Sequence, residues 1–392
     1  MSKMMKSFKV MLVPNNRQQT RLFQFAGTAR FAYNWTLQKE REAYEAGEKF
    51  ISDNDLRKKF TVLRNSAEYS WLKTISNNVT KQAIKDCVDA YTKFFKRQAG
   101  RPRFKSKRHG DFSFYQDTDK IRITATHVKL EAIATSRRKN RQGLNWIRLA
   151  ERGRIPVGVK YKQPRITFDG LNWWLNVAVE FEPEEKLTPC TEAIGIDLGI
   201  KNLAVCSDGT IYPNINRTAE VRRLKKKQRR LQRSISRKYE MNKAKGESYS
   251  KTRNIIKSER KLLRLHHRLA NIRQNYRHQI TSEIVRRKPR LIVVEDLNVR
   301  GMMSNRHLSK AVQEQGFYEF RRQIEYKAEW AGIPVVVADR YYPSSKICIA
   351  CGHVKKNLHL SERTYHCEIC GNEIDRDLQA AINLRRYGEL AG

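Results

Sequence analysis

The sequence predicts an α/β domain joined to a small β-barrel and a helical segment. Three observations carry that prediction. Short apolar–polar alternations broken by turn residues fill residues 103–186. Two continuous apolar runs, AIGIDLG at 193–199 and LIVVEDL at 291–297, read as buried strands of a second sheet. Long stretches with apolar residues at helical spacing lie around both regions.

Each element follows from local signals. Residues 6–13, KSFKVMLV, alternate and stop at Pro14. Residues 17–46 read as helix, with Leu22, Phe25, Ala26, Ala29, Ala32, Tyr33 and Thr36 on one face. Asp53 or Asn54 is placed to cap a helix over 55–64, and 78–97 reads as a third long helix. That third helix presents Val79, Ala83, Val88, Tyr91, Phe94 and Phe95, and Gly100 and Pro102 end it. Strands follow at 112–115, 120–124, 127–133, 145–150, 165–168 and 172–182, separated by turn residues including Gly143, Gly153, Gly158 and Gly170. The strand at 6–13 is expected to join them, with the helices as an insertion. Beyond 193, GIDLG and NLAVCSDGTIY form a hairpin. Two long basic helices then run over 217–240 and 249–288 around a turn at 243–246. Their apolar stripe is Leu224, Leu231 and Ile235 against Ile256, Leu263, Leu269 and Ile272. One helix over 308–331 and a strand over 333–338 complete the order.

The chain has 392 residues and a net charge of +39, with 40% hydrophobic residues. That apolar content supports real cores and excludes a disordered basic tail. The charge opposes compaction and favours a polyanionic partner. It is concentrated: residues 101–165 carry net +13 and residues 217–290 net +21. Contacts with phosphates would neutralise such density and make binding strongly salt-dependent. No apolar run approaches the roughly 18 residues of a membrane span. Val10 to Val13 is too short for a signal-peptide core, so an intracellular protein is expected.

Seven cysteines include two C-x2-C pairs, Cys348/Cys351 and Cys367/Cys370, fifteen residues apart. Four thiolates at that spacing close a tetrahedral shell around Zn²⁺ and leave no open position, which makes the site structural. His353, His359 and His366 read as loop residues nearby, and Cys87, Cys190 and Cys206 as buried apolar residues.

Asp197 in GIDLG, Glu295 ending LIVVE, and Asp377 in DRDLQAAINL are carboxylates on apolar backbones. Burying an ionised carboxylate is costly unless it is paired or binds a metal. Each has a bland role: Asp197 in a turn, Glu295 in a strand-end salt bridge, Asp377 as a helix cap. Together they match the RNase H-like layout, in which two Mg²⁺ ions bridge acidic ligands during phosphodiester attack. Asp296 competes with Glu295, and strand alternation lets only one of them join the site. The run GRPRFKSKR at 100–108 places Arg101, Arg103, Lys105, Lys107 and Arg108 around Phe104. That set suits phosphate contacts with a stacking option.

At these residues the chain resembles the TnpB family of transposon-encoded RNA-guided nucleases, related to compact type V CRISPR effectors. The resemblance rests on GIDLGIKNLAV at 195–205, IVVEDLNVRGM at 292–302, YYPSSKIC at 341–348, the paired knuckles, DRDLQAAINL at 375–384, RFAYNW at 30–35 and the 100–108 run. It spans nearly the whole chain. It implies an RNase H-like RuvC nuclease core over 189–345 and 373–392, with an inserted zinc ribbon over 346–372. It also implies a wedge-type β-barrel over 1–14 and 101–188, and a helical recognition insert over 15–100. The catalytic acids carried over are Asp197, Glu295 and Asp377, with Gln379 where the family has Asn. The longer amide puts the geometry around Asp377 in doubt more than the reaction. The implied activity is Mg²⁺-dependent cleavage of DNA directed by a transposon-end guide RNA, beside a short target-adjacent motif. Asn78, Lys81 and Gln82 are candidates for reading that motif, and Lys225 and Arg229 for gripping nucleic acid. The implied partners are guide RNA, duplex target DNA and their heteroduplex. A monomer in a prokaryotic cytoplasm at the nucleoid, without membrane association, is implied.

Two other classes remain open. A nuclease-inactive guided repressor would lack one or more of the acids, and this chain holds all three. An accessory transposition protein could use the same acids, and a requirement for RNA separates it from a guided nuclease.

Overall fold

A computed structural model describes residues 4–107, 110, 112–131, 145–182, 192–244, 251–359 and 361–391. The expectations for Arg108, Gly143, Cys190, the end of the strand at 127–133 and part of the turn at 243–246 lie outside the described residues. The chain divides into two units, 1–182 and 183–392.

In the first unit, β1 (Met4–Val13) lies inside a seven-stranded antiparallel sheet. Its neighbours are β7 (Trp173–Phe181) and β5 (Trp146–Leu149). The order runs β2 (Ser113–Tyr115), β6 (Tyr161–Phe168), β7, β1, β5, β4 (His127–Lys129), β3 (Arg122–Ile123). Among the described residues β2 and β3, at the two ends, share no ladder. β6 begins before the expected RITF. Pro164 cannot donate to a ladder, and the strand passes it through a register shift with Gln163 at φ 48°.

Three helices follow β1: α1 (Asn16–Glu45), α2 (Asp53–Asn65) and α3 (Asn77–Phe95). Asn15 and Gln18 form a reciprocal capping box at the start of α1, each bond 2.9 Å. All seven residues expected on its apolar face are buried; six join the sheet's inner face in one core, and Thr36 donates its hydroxyl to the Ala32 carbonyl. Phe25 meets Phe114 at 5.3 Å and Phe23 meets Trp173 at 5.0 Å. Two expectations fail here. Ser52, not Asp53 or Asn54, caps α2, because its hydroxyl reaches the Asp55 N–H. α3 buries Thr80, Ile84 and Cys87 beside Val79, Ala83 and Tyr91, and turns Phe95 outward.

The second unit is built on a five-stranded sheet ordered β10 (Ile211–Pro213), β9 (Asn202–Cys206), β8 (Ile194–Leu198), β11 (Ile292–Glu295), β12 (Val335–Ala338). β8, β11 and β12 are parallel, and β9 and β10 fold back as a meander. The basic helices α4 (Ala219–Ala244) and α5 (Arg253–Arg286) pack through Val221, Leu224, Leu265 and Leu269. The buried stripe on α5 starts at Ile255 rather than Ile256, and Leu265 rather than Leu263 is fully buried. RNIIK and KLLRL offer adjacent apolar residues, and the partner surface selects the phase.

A short α6 (Val299–Ser304) precedes the expected helix over 308–331, which is two helices, α7 (Ser309–Gln315) and α8 (Phe317–Ala331). They break at Gly316, φ 69°, a left-handed residue that ends the first and starts the second. α5 and α8 cover one face of the sheet through Ile280, Ile284, Phe317, Phe320 and Ile324. α9 (Arg376–Ala391) covers the other, against Ala193, Leu291 and Val293. No helix among the described residues is long and apolar enough to cross a membrane.

Candidate functional site

The sheet of the second unit brings carboxylates together by its register. β8 and β11 are parallel with Ile196 opposite Val294, so Asp197 and Glu295 come next on adjacent strands, at one level and on one face. Ile196 and Val294 point into the α5/α8 core, whereas Val293 faces α9. Alternation therefore sends Asp197 and Glu295 toward α9 and turns Asp296 to the opposite face. There Asp296 accepts from Arg321 at 2.8 Å and from Arg340 at 2.5 Å. Burial alone would raise the Asp296 carboxyl, but those two arginines hold it below its usual range.

α9 delivers the third acid. Its cap is Asp375, which accepts the N–H groups of Asp377 at 2.9 Å and Leu378 at 3.1 Å. Asp377 is thus in the first turn and not the cap. α9 lies flush on the sheet because two positions lack a side chain. A Cβ at Gly195 would stand 2.0 Å from the Ala381 carbonyl oxygen, and one at Gly388 2.3 Å from Val293 Cγ2.

Electrostatics mark this cluster. Burial, then Glu295, then Asp377, push the Asp197 carboxyl well above its usual range. Arg376 opposes this only in part, its guanidinium being directed to the His359 and Glu362 carbonyls. Burial also pushes Glu295 up to about 7, against the pull of the Leu198 N–H that it accepts at 3.3 Å, with Asp377 adding to the rise. Half-buried carboxylates brought together without a cation from the chain between them are a donor set for divalent cations. A cleft of about 440 Å³ borders Glu295 but neither Asp197 nor Asp377; it lies on the Asp296 side, lined by Leu198, Arg300, Tyr318, Arg321 and Arg340.

The cysteines form a second centre. Cys348, Cys351, Cys367 and Cys370 place their sulfurs within 4.8 Å of one another, a group that could hold a metal ion. Each C-x2-C turn is closed the same way. Gly352 N–H bonds the Cys348 carbonyl at 3.0 Å, and Gly371 N–H bonds the Cys367 carbonyl at 3.1 Å. Both glycines are left-handed, at φ 74° and 70°. The hairpin of β13 (Thr364–His366) and β14 (Glu373–Asp375) carries Tyr365 and Ile374 beneath the sulfurs. His366 is therefore on a strand, not in a loop. Asn383 on α9 donates to the Ser344 and Ile347 carbonyls at 2.7 Å each, and buried Gln379 donates to Ser345 at 3.3 Å. These amides bind the approach to the first knuckle, a role that the sequence did not single out. Cys87 and Cys206 are buried.

The residues nominated for nucleic-acid contact divide. Arg101, Arg103 and Lys107 are exposed. Lys105 is tied to α1, its N–H reaching Asn34 at 2.8 Å and its ammonium lying 3.7 Å over Tyr33. Arg41 covers Phe104 at 4.6 Å. Asn78 donates to Asp117 at 2.5 Å and Gln82 to Asp86 at 2.9 Å, while Lys81 is exposed. Lys225 pairs with Glu314 at 2.5 Å within its own unit, and Arg229 is exposed.

Comparison with known proteins matches three family descriptions in order along the chain. They are "Helix-turn-helix domain" over 1–49, "Probable transposase" over 176–306 and "Cas12f1-like, TNB domain" over 317–384. The chain is 29% identical to "Putative RNA-guided DNA endonuclease InsQ" of Escherichia coli (strain K12), over 98% of this chain and 93% of that protein. It is also 29% identical to a "Putative RNA-guided DNA endonuclease" of Streptomyces pristinaespiralis, over 100% of this chain and 91% of that one. Its fold is similar to the protein in "Cryo-EM structure of the Cas12f1-sgRNA-target DNA complex", with a TM-score of 0.58 and 14% identity over 98% and 99% of the two chains. The second unit accordingly has a RuvC-type nuclease fold, and its four-cysteine cluster fits a zinc ribbon.

Proposed function

We propose that the chain is a member of the TnpB family and an RNA-guided DNA endonuclease, on its likeness to the relatives above, with Asp197, Glu295 and Asp377 as its catalytic acids. The observation that carries the site is the placing of Asp197 and Glu295 level on adjacent parallel strands beside Asp377, where burial and the neighbouring carboxylates raise both Asp197 and Glu295. Those acids would hold Mg²⁺, which when bound supplies charge neutralisation of the phosphate and an acidified water. The chain's own groups do the positioning. The Leu198 N–H orients Glu295, and the Asp375 cap leaves Asp377 available at the start of α9. Arg321 and Arg340 keep Asp296 out of the cluster. The cleft that Glu295 borders, with Arg300, Arg322 and Arg340 on a wall shared with Asp296 and Glu325, suits a single strand bound by its phosphates. Zn²⁺ would be held by the four cysteines as a structural ion that fixes the segment before α9.

The basic helices α4 and α5 and the exposed Arg101, Arg103, Lys107 and Arg229 supply the electrostatic surface for guide RNA and heteroduplex. Lys81 is the motif-reading candidate with an exposed side chain. The reading also takes the chain to act as a monomer.

The test is to co-express the chain with its flanking DNA, sequence the RNA that co-purifies, and assay cleavage of a matched duplex with and without Mg²⁺. A discrete RNA ending in a flank-derived segment, with cutting that requires both RNA and Mg²⁺, is expected. A heterogeneous RNA population with no guided cutting overturns the reading.

A further inference from the structure

The second unit holds a trough of about 540 Å³ that none of the three acids lines. Three helices build it. α4 turns Lys225, Gln228, Arg229 and Gln232 toward it, and residues three, four and seven apart share one helix face. α5 supplies Leu269, Ala270, Arg273, Gln274 and Arg277 at the same spacing, and α7 adds Lys310, Gln313 and Glu314. Gln228 Nε2 lies 3.3 Å from the His266 ring nitrogens and so links α4 to α5.

Five Lys and Arg side chains line the trough against one acid, Glu314. Glu314 engages Lys225 at 2.5 Å and Arg273 at 3.2 Å, and Arg277 donates to the Gln315 carbonyl at 3.1 Å. Arg229 and Lys310 are exposed and have no ion-pair partner among the described residues. A concave surface of one sign focuses its potential and draws an anion.

The remaining lining groups narrow the kind of anion. Among the described residues no Phe, Tyr or Trp lines the trough, so a base finds no such ring to stack on. Gln232, Gln274 and Gln313 line it instead; all three are exposed, and no side-chain bond engages them among the described residues. A phosphodiester oxygen accepts and never donates, so the cations suffice for it. A side-chain amide both donates and accepts. Its match on a nucleic-acid backbone is the ribose 2′-hydroxyl, which does both and which distinguishes RNA from DNA.

We propose that this trough is an RNA-backbone subsite that selects RNA over DNA, with Arg229 and Lys310 on phosphates and Gln232, Gln274 and Gln313 on the ribose 2′-hydroxyls beside them. Lys225 and Arg273, held by Glu314, form the fixed basic wall behind the strand. The subsite reads sugar and phosphate and leaves the base sequence unread, as a chain that accepts many guide sequences requires. The proposal deepens the reading that α4 and α5 grip guide RNA. It rests on RNA binding but not on cleavage.

The test is filter binding of the full-length protein, freed of co-purified RNA, to one RNA hairpin made in two forms, with 2′-hydroxyls and with 2′-fluorines. Fluorine keeps the A-form sugar pucker and cannot donate. The hydroxyl form is expected to bind about fivefold or more tightly, the effect of one net hydrogen bond. Gln232→Ala, Gln274→Ala and Gln313→Ala combined should erase that preference and leave the salt dependence unchanged, because no charge is lost. Arg229→Gln with Lys310→Gln should weaken both forms alike and reduce the salt slope by about one for each contact removed. Thermal unfolding checks that both variants fold. Equal binding of the two forms by the parent, or a full hydroxyl preference in the folded glutamine variant, overturns the proposal. An unchanged salt slope in the folded Arg229→Gln/Lys310→Gln variant overturns it too. A protein that cuts guided targets yet treats both hairpins alike keeps the function and loses this subsite. One that keeps the glutamine-dependent preference and never cuts keeps the subsite and loses the guided-cleavage reading.

Discussion

Asp296 and Glu295 are neighbours in sequence with opposite electrostatic fates. One is held low by two arginines, and the other is pushed up by burial, with Asp377 adding to the rise. Replacing Asp197 by Ala should lower matched-target cleavage by about a thousandfold or more while leaving guide-RNA affinity unchanged. Cleavage within tenfold of the parent would remove Asp197 from the reaction. The raised carboxyls also set a pH dependence. Between the ordinary glutamate value and about 7, the folded metal-free protein binds more protons at Glu295 than the unfolded chain does, so stability falls as pH rises through that window. In chelator, the melting temperature should therefore drop from pH 5 to 7, and Glu295→Gln should flatten the drop relative to parent. Identical slopes would show that Glu295 carries no such strain. Glu40 titrates in the same window, so only the difference between variant and parent isolates Glu295.

At the scale of elements, α9 is the part that joins the acids to the cysteine cluster. Gly195 permits its close approach. Gly195→Ala must displace the helix backbone at Ala381 and Arg385, because no flexible side chain is there to yield. A loss of about 3 kcal/mol or more in stability is expected, with cleavage falling alongside it, as read by thermal unfolding and target cutting. Asn383→Ala strips the Ser344 and Ile347 carbonyls of a shared donor in a buried setting. That should cost about 1–3 kcal/mol and speed alkylation of Cys348 after chelation. Alkylation at the parental rate would show that the knuckle stands without α9.

For the molecule as a whole, net charge +39 governs association more than folding. Neutralising six to ten phosphates would make guide-RNA affinity fall about 10³-fold or more between 50 and 200 mM salt, measurable by filter binding. A salt response under tenfold would mean that the basic surface does not carry binding. Part of that charge is already engaged: Lys225 and Arg273 share Glu314 within the second unit.

The sequence by itself determined the strand pattern, the main helices, the cysteine spacing and which carboxylates sit on apolar backbones, because each is written in local periodicity or in spacing along the chain. Tertiary structure decided what depends on a partner surface. The phase of α5 was open because Ile255 and Ile256 are equally apolar. The break at Gly316 reads from the sequence as one tolerated glycine in a long helix. Whether Lys225 and Asn78 face solvent or an acid turned on residues far away in the chain. The register of β8 against β11 set Asp197 level with Glu295 and turned Asp296 away. A strand carries its alternation in its own sequence, but which residue lies beside which is fixed only when two strands pair.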